Sequence, residues 1–393
     1  MDAVIVSAVR TPVGKFLGGL APLSAPALGA IALKAALARA HVPADAVDEV
    51  VMGCVVAAGL GQNPARQALI HASIPPTKSA YTINMVCGSG LRAVALAAQA
   101  IAAGDAHCVL AGGMESMSNA PYLLKQARTG YRMGNGELVD AMVHDGLWDV
   151  YEDYHMGMTG ELVAEKYGIT RGEQDAYACE SHRRAIAAID AGAFNDEIAP
   201  VEIAQKKGAP VVVSADEGPR RDTTMEALGK LRPAFKKDGT VTAGNAPPVN
   251  DGAAAVLVMS RQRAKELGVT PIARVVASAT GHLEPRWVML APIEAVRNLR
   301  AKTGLSNAQL DGIELNEAFS VQAMACTREL EMDPARVNPD GGAVALGHPI
   351  GASGARILTT LLHRLRREGG QRGLASLCLG GGGAVALAVE MES

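Results

Sequence analysis

The sequence Cys87-Gly-Ser-Gly-Leu-Arg92 opens a long apolar stretch that reaches Ile101, and a turn, an apolar run and Gly112-Gly113 follow it. Gly351-Ala-Ser-Gly-Ala-Arg356 opens the same series near the other end of the chain. Both copies place Ser-Gly-x-Arg before a helix pattern, which a strand pattern and paired glycines then follow. This repeat predicts two duplicated halves, although chance similarity between stretches rich in alanine and glycine would also produce it.

The rest of the chain extends this alternation of strand and helix patterns. Short apolar runs begin at Val4, Glu49 and Cys108, whereas alanine-rich helical stretches cover Leu28 to Ala40 and Leu91 to Ala103. Strands that alternate with helices are typical of layered α/β proteins. The sequence therefore predicts an α/β fold.

The middle of the chain differs from both ends, because residues 118–249 are more polar and contain a run of charged residues. A strand pattern resumes at Asn250. We therefore predict an N-terminal half in residues 1–117 and 250–270, an inserted loop domain in residues 118–249, and a C-terminal half in residues 271–393.

Composition limits the classes of function. The chain has 393 residues, of which 49% are hydrophobic, so it can form two or three packed units. A net charge of -3 and an aromatic content of 3% do not favour nucleic-acid binding. The first residues lack the features of a signal peptide, and we expect no apolar run long enough to span a bilayer. We therefore expect a cytoplasmic protein that binds neither nucleic acid nor a membrane.

The six cysteines are scattered and form no zinc-like spacing, so we expect no metal site and no structural disulfide. Cys87 is distinctive because it follows an apolar stretch and directly precedes a helix pattern. The dipole and free N–H groups of a helix N-terminus would lower the pKa of its thiol and favour the thiolate. Taken alone, Cys87 could equally be a core cysteine.

Three further segments could carry chemistry. His348 lies in a loop rich in glycine, which predicts an exposed imidazole able to deprotonate a thiol. Cys378 ends an apolar run before Gly380-Gly-Gly-Gly383, where a thiol could act as acid or base and backbone N–H groups could approach an oxyanion. Asn316 follows another apolar run and could orient a water or an oxyanion. A structural histidine, a core cysteine and a helix N-cap are the respective alternatives.

In these and other segments the sequence closely resembles the thiolase family, and specifically its acetyl-CoA acetyltransferase branch. The matching segments follow the family order and cover essentially the whole chain. They are Asn84-Met-Val-Cys-Gly-Ser-Gly-Leu-Arg-Ala, Gly112-Gly-Met-Glu-Ser-Met-Ser, Tyr154-His-Met-Gly, Lys230-Leu-Arg-Pro-Ala-Phe, Thr242-Ala-Gly-Asn-Ala, Asn316-Glu-Ala-Phe, the His348 loop and Cys378-x-Gly-Gly-Gly.

The resemblance implies a five-layered thiolase fold of two duplicated halves plus a loop domain, and it implies roles for five residues. Cys87 accepts the acyl group of one acyl-CoA with His348 as its base, and Cys378 removes a proton from the α-carbon of a second acetyl-CoA. The resulting enolate attacks the acyl-Cys87 thioester. Asn316, through a water, forms one oxyanion hole with His348, and the N–H groups of Cys87 and Gly380 form the other. Coenzyme A is a substrate and product, and the resemblance implies no permanent cofactor.

The resemblance also implies that the loop domain binds CoA. Arg220 corresponds to a position near the nucleotide, where a guanidinium suits phosphate or adenine. The positions that correspond to the pantetheine and acyl tunnel are Leu147, His155, Met156, Ala234, Phe235, Ala243, Pro247, Ala318 and Phe319. Ordinary core residues are the alternative for the apolar members of this set.

The sequence departs from the family at two loops. Pro247-Pro248 stands where the family commonly has Ser-Gly, so a hydroxyl is lost and the loop is stiffer. Trp287-Val-Met-Leu-Ala-Pro292 replaces the short acyl-pocket loop Met-Gly-x-Gly-Pro. Side chains therefore replace both glycines, and we expect a different pocket floor.

From these matches we expect an acetyl-CoA C-acetyltransferase that reversibly condenses two acetyl-CoA to acetoacetyl-CoA and CoA. The altered loops leave a broader 3-ketoacyl-CoA thiolase as an alternative, and a non-catalytic acyl-CoA-binding protein and a Cys-His amide hydrolase are more distant ones. The family and the segment from Ser118 to Val143 predict a homotetramer built from dimers.

Overall fold

The computed structural model describes residues 2–392. Its strands are β1 (Ala3–Arg10), β2 (Gly14–Lys15), β3 (Glu49–Gly53), β4 (Ser79–Ile83), β5 (Cys108–Ser116), β6 (Tyr122–Leu123), β7 (Val139–Asp140), β8 (Trp148–Asp149), β9 (Tyr154–His155), β10 (Val201–Ile203), β11 (Val211–Val213), β12 (Asn250–Ser260), β13 (Ala273–His282), β14 (Gly312–Leu315), β15 (Arg372–Leu379) and β16 (Gly383–Met391).

The α-helices are α1 (Ala25–Ala40), α2 (Pro64–His71), α3 (Ser89–Ala103), α4 (Ala141–Gly146), α5 (Gly157–Tyr167), α6 (Arg171–Asp190), α7 (Met225–Gly229), α8 (Arg261–Leu267), α9 (Ala291–Thr303), α10 (Ser320–Glu329), α11 (Ala343–Leu346) and α12 (Ser353–Glu368). Short 3₁₀ turns cover Ala44–Ala46, Met117–Asn119, Pro285–Leu290 and Asn307–Gln309.

The strand order of the large sheet reflects the repeat in the sequence. Its strands follow the order β14-β15-β16-β13-β1-β12-β5-β3-β4, and β2 pairs with β12 at the side. On each side of the junction between β1 and β13, two antiparallel pairings lead to a parallel one. The strands β1, β12, β5 and β3 thus correspond to β13, β16, β15 and β14. This correspondence confirms the duplication predicted from sequence.

Alternate faces of the strands bury different layers, as expected when both faces of a sheet are covered. Val50 packs in an apolar cluster with Leu28 and Leu33 of α1, whereas the next residue, Val51, packs in a central cluster with α3 and α12. In the other half, Leu374 packs with α9 and Ala375 packs in the central cluster. The protein therefore has five layers: outer helices, one half of the sheet, the central helices, the other half of the sheet, and outer helices again.

The central helices α3 and α12 contact each other and lie between the two halves of the sheet. Each ends at a glycine with positive φ, Gly104 at 87° and Gly369 at 69°, which terminates the helix in the left-handed conformation. By length and composition alone, Val86–Ala103 could cross a membrane, contrary to the expectation that no apolar run would be long enough. Half of this stretch is buried inside the folded chain, where α3 occupies the central layer.

Residues 118–249 contribute helices and two-stranded pairings but, within residues 2–392, no strand of the large sheet. Their long helix α6 begins with a capping box, in which Thr170 and Glu173 satisfy each other's backbone donors. α6 packs against α10 and α11 of the C-terminal half. The domain boundaries proposed from the sequence remain a prediction.

Candidate functional site

A cavity of about 360 Å³ opens between the core and residues 118–249. All residues singled out from the sequence line it except Asn316 and Arg220: they are Cys87, His348, Cys378, Gly380, Leu147, His155, Met156, Ala234, Phe235, Ala243, Pro247, Ala318 and Phe319. The fold therefore brings segments that are far apart in sequence to one apolar cavity.

Cys87 lies in the turn that precedes α3. The preceding residue, Val86, has a φ of 46°, a conformation that a β-branched residue rarely adopts and that marks local strain. The N–H groups of Cys87 itself and of Gly380 approach its sulfur. Burial nevertheless dominates and raises the pKa of the Cys87 thiol to about 12. The prediction that the helix terminus would lower this pKa is therefore wrong, because desolvation of the charged form outweighs the favourable amide groups.

His348 is buried, with only 7% of its surface exposed, so the prediction of an exposed imidazole is also wrong. Its Nδ1 lies 2.6 Å from the Ser353 hydroxyl, which itself donates to the Pro349 carbonyl at 2.9 Å. With the hydroxyl proton used in this way, Nδ1–H is the donor to Ser353, and Nε2 keeps its lone pair. Burial and the nearby Arg356 lower the pKa of His348 to about 3, so the imidazole is neutral at ordinary pH.

The loop that holds His348 needs an unusual backbone. Gly347 has a φ of 106°, and a Cβ there would lie 2.6 Å from the Asn250 side chain. Asn250 Oδ1 accepts the His348 backbone N–H at 2.8 Å, and its Nδ2 donates to the Gly14 carbonyl at 2.9 Å. Glycine thus allows the close approach through which Asn250 fixes the loop.

Cys378 and Gly380 come from the end of β15 and the turn that follows it. Cys378 is 2% exposed, and burial together with the nearby Cys87 raises the pKa of its thiol well above the usual range. Two thiols and one imidazole consequently face one water-poor cavity in their neutral forms. Such groups can exchange protons with each other and with a bound substrate.

Asn316 follows β14 and is 1% exposed, but it is not part of the cavity lining. Both polar atoms of its side chain lack a hydrogen-bond partner among residues 2–392, so its amide is free to bind a further polar group. Its neighbour Glu317 was not assigned a role from the sequence. The Glu317 carboxylate accepts bonds from Tyr177, Ser181, Asn338 and the Val344 backbone, and it thereby joins α6 to the segment before the His348 loop.

Aromatic rings form part of the cavity wall. The His155 ring stacks on Phe235 with 4.6 Å between centroids, and Phe235 meets Phe319 edge-on at 6.2 Å. Burial lowers the pKa of His155, which favours its neutral form in this stack. The cavity wall is therefore built for an apolar chain with few polar groups.

The two unusual loops both reach the cavity. Pro247 and Pro248 line it, as do Val288 and Met289 from the loop that replaces the glycines. The sequence shows that this loop is unusual but does not predict that these two side chains line the cavity, because their orientation depends on the 3₁₀ turn at Pro285–Leu290. Arg220 is exposed, and its backbone N–H donates to His182 Nδ1 away from this lining. Within the described chain, no group of three or more His, Cys, Asp or Glu could hold a metal ion.

Comparisons with known proteins agree with this geometry. The chain matches the family models of the thiolase N-terminal domain over residues 3–262 and the thiolase C-terminal domain over residues 269–391. It is 55% identical over 391 residues to acetyl-CoA acetyltransferase of Pseudomonas aeruginosa, with 100% of both chains covered. It is 54% identical over 391 residues to the protein of that name from Cupriavidus necator, also with 100% of both chains covered.

Among solved structures, the acetyl-CoA acetyltransferase of Bacillus anthracis matches with a TM-score of 0.97 and 43% identity, over 100% of this chain and 99% of that one. The family models cover almost the whole chain, and the curated relatives are matched along their full length. The chain therefore belongs to the thiolase family.

Proposed function

We propose that this thiolase is an acetyl-CoA C-acetyltransferase, which reversibly condenses two acetyl-CoA to acetoacetyl-CoA and CoA. The observation that carries this proposal is the meeting of two thiols, Cys87 and Cys378, with one neutral histidine in an apolar cavity. A hydrolase needs one nucleophile and one base, whereas a Claisen condensation also needs a group that removes a proton from carbon. The names of the full-length relatives support the same activity.

In the first half-reaction, His348 Nε2 takes the Cys87 proton as the thiolate attacks the thioester carbonyl of acetyl-CoA. The N–H groups of Cys87 and Gly380 stabilise the oxyanion of the tetrahedral intermediate. That intermediate collapses to acetyl-Cys87, and the departing CoA thiolate receives the proton from His348. Because the resting thiol and imidazole are both neutral, the proton moves only when substrate is in place.

In the second half-reaction, Cys378 gives its thiol proton to His348 Nε2, and the resulting thiolate removes a proton from the methyl carbon of a second acetyl-CoA. A water held by Asn316 and the His348 side chain stabilise the enolate oxygen. The enolate carbon then attacks acetyl-Cys87, the C–S bond breaks to release acetoacetyl-CoA, and the Cys87 thiolate takes the proton from His348, which restores the resting site. The reverse sequence cleaves a 3-ketoacyl-CoA with CoA.

CoA acts in this scheme as a substrate and product, not as a permanent cofactor. The apolar wall formed by residues such as His155, Phe235 and Phe319 suits its pantetheine arm. Arg220 lies at the surface of residues 118–249, where it would contact the nucleotide outside the cavity.

Mass spectrometry after incubation with acetyl-CoA tests the proposal directly. We expect one acetyl group on the peptide that contains Cys87. The C378A variant should still acquire it, whereas the C87A variant should not, because only the second half-reaction needs Cys378. A wild-type protein that binds acetyl-CoA but acquires no acetyl group would favour the non-catalytic acyl-CoA-binding alternative.

A broader 3-ketoacyl-CoA thiolase is the second candidate, and the altered floor of the cavity favours it. Val288 and Met289 contribute flexible or branched apolar surface there. The test compares kcat/KM for thiolysis of acetoacetyl-CoA and 3-ketooctanoyl-CoA, with M289A as the matched variant. We expect the short substrate to be preferred and M289A to reduce that preference. A larger value for the long substrate in the wild type would establish the broader activity instead.

We further propose that the chain forms a homotetramer in the cytoplasm. Leu124, Met133 and Leu138 in the segment from Ser118 to Val143 are exposed apolar side chains, with Met133 99% exposed, which supports burial in an assembly. A monomer mass in light scattering would contradict the assembly.

A further inference from the structure

Glu115 is a fully buried carboxylate near the end of β5, and the mechanism above does not use it. Its oxygens accept the backbone N–H groups of Val55 and Val56 at 3.1 Å each and that of Gly351 at 2.8 Å. The Cys54 thiol lies 3.9 Å away as a weak fourth donor. One side chain thus holds a loop of the N-terminal half and the loop that bears His348.

The residues that Glu115 holds lie directly behind or beside the wall of the site. Val55, Val56 and Ile350 form one apolar cluster, against which Cys87 packs. Ile350 lines the cavity and lies between His348 and the Gly351 amide that Glu115 accepts.

The loop that bears His348 also packs closely against β5. A Cβ at Gly113 would lie 2.0 Å from the Gly351 carbonyl oxygen, so the two backbones almost touch. The Glu115 carboxylate is the polar part of this contact, and its loss would leave three amide groups without their acceptor.

The pKa of Glu115 also differs from the pKa values of the catalytic groups. Burial raises the pKa of its carboxyl to about 7, because the three amide bonds offset only part of the desolvation cost. The pKa values of Cys87 and His348 lie far on either side, at about 12 and about 3.

The neighbouring elements supply no counter-charge to Glu115. Cys54, Cys87, Arg92, Asp251, His348 and Arg356 are among the titratable or charged groups on the segments around it, and within residues 2–392 no ion pair to Glu115 forms. Its ionised form therefore depends on the backbone amides alone.

We propose that Glu115 is a positioning residue whose carboxylate ties the His348 loop to the Cys87 half of the site, and whose protonation loosens this tie. A protonated carboxyl has one oxygen that must donate, so at least one of the three amides loses its acceptor. Each of the three amide bonds lowers the pKa of the carboxyl and therefore favours the carboxylate, so these bonds weaken as pH falls through the raised pKa and the acid form replaces it; the burial that raises the pKa is a separate effect. The inference rests on the proposed roles of Cys87 and His348.

The first test measures kcat for acetoacetyl-CoA thiolysis across neutral pH in the wild type, E115Q and D48N. The wild type should lose activity as pH falls through about 7. E115Q should be about tenfold slower at alkaline pH, since small misplacements of catalytic groups are costly, and it should lack the step near neutrality.

D48N is the matched control, because Asp48 likewise accepts two backbone amides, from His107 and Cys108, at the opposite end of β5. It should keep the wild-type profile. A wild type without the step, or an E115Q that retains it, would overturn the proposal.

The second test follows hydrogen exchange of peptides that contain Val55–Val56 and Gly351, corrected for the intrinsic effect of pH. E115Q should exchange about tenfold faster there, and D48N should not. This measurement needs no substrate, so it distinguishes a failure of the tie from a failure of the proposed activity. Should E115Q not fold, the wild-type kcat profile alone decides, and a profile without a step as pH falls through about 7 refutes the tie.

Discussion

The two turns before α3 and α12 have related sequences but do different work. In the first, the Ser89 hydroxyl donates to the Val86 carbonyl at 2.7 Å and accepts the Met85 N–H at 2.8 Å, so it only shapes the turn that presents Cys87. In the second, the equivalent Ser353 bonds the Pro349 carbonyl and also the ring of His348. The two halves therefore share one turn structure. In the second copy, the additional contact of Ser353 with His348 holds the ring of the base in place.

The arginines of the repeat diverge even more. Arg92 on α3 is partly exposed and forms no ion pair within residues 2–392. Arg356 on α12 is 2% exposed and lies 3.7 Å from Glu314, and none of its guanidinium nitrogens has a hydrogen-bond partner in that part of the chain. A repeated motif thus predicts where a side chain is placed but not what surrounds it.

Substitution of the reactive residue in each turn should have the largest effect on activity. We expect C87A to lower kcat for thiolysis at least ~10⁴-fold, because no acyl carrier remains, and H348A to lower it by ~10²–10⁴-fold, as for loss of a general base. Steady-state kinetics measure both, with circular dichroism as the control for folding. A larger loss of kcat in H348A than in C87A would contradict the assignment of the acyl carrier to the first turn and of the base to the second.

Substitution of the two arginines should have different effects on the free energy of unfolding. R356M leaves Glu314 as an unpaired buried group and is expected to cost about 3–5 kcal/mol, whereas R92M should cost less than about 0.5 kcal/mol. Urea unfolding at one fixed protein concentration measures both.

The double variant E314Q/R356M is the control for this prediction. It removes both charges and should recover most of the stability that R356M loses. Equal losses in R356M and R92M would contradict the difference drawn between the two turns.

The serines should show the smallest effect. S353A removes the acceptor that orients His348 and should lower kcat about tenfold with little change in KM, a part of what a general base contributes. S89A should leave kcat within about twofold and cost ~1 kcal/mol of stability through the lost turn bonds. Kinetics and unfolding on the same preparations make the comparison, and equal kcat values in the two variants would refute it.

Much of the fold follows from local patterns. The predicted stretches Leu28 to Ala40 and Leu91 to Ala103 lie in α1 and α3, and the repeat corresponds to the matched strand orders of the two halves. Apolar period and glycine placement are properties of neighbouring residues, so the sequence shows them directly. The pairing of β1 with β13 is not visible in this way, because it depends on contacts between distant segments.

The site was predictable in its members but not in its electrostatics. The position of Cys87 before a helix predicts a lowered pKa for its thiol, whereas burial raises that pKa to about 12. Desolvation is set by the whole cavity, including Val288 and Met289, and no local pattern reports it. For the same reason no local pattern indicates the role of Glu115, because its amide partners lie about 60 and more than 200 residues away.

The place of β1 in the sheet bears on how the chain is made. Ala3 pairs with Ser260, and Ile5 pairs with both Val258 and Ala273, so β1 has no partner in the sheet until the chain as far as β12 has left the ribosome. Contacts of such long sequence separation form slowly, because loop closure precedes any gain from pairing. During translation the N-terminal segment is therefore an unpaired apolar strand, and we expect it to be a binding site for chaperones until β12 emerges.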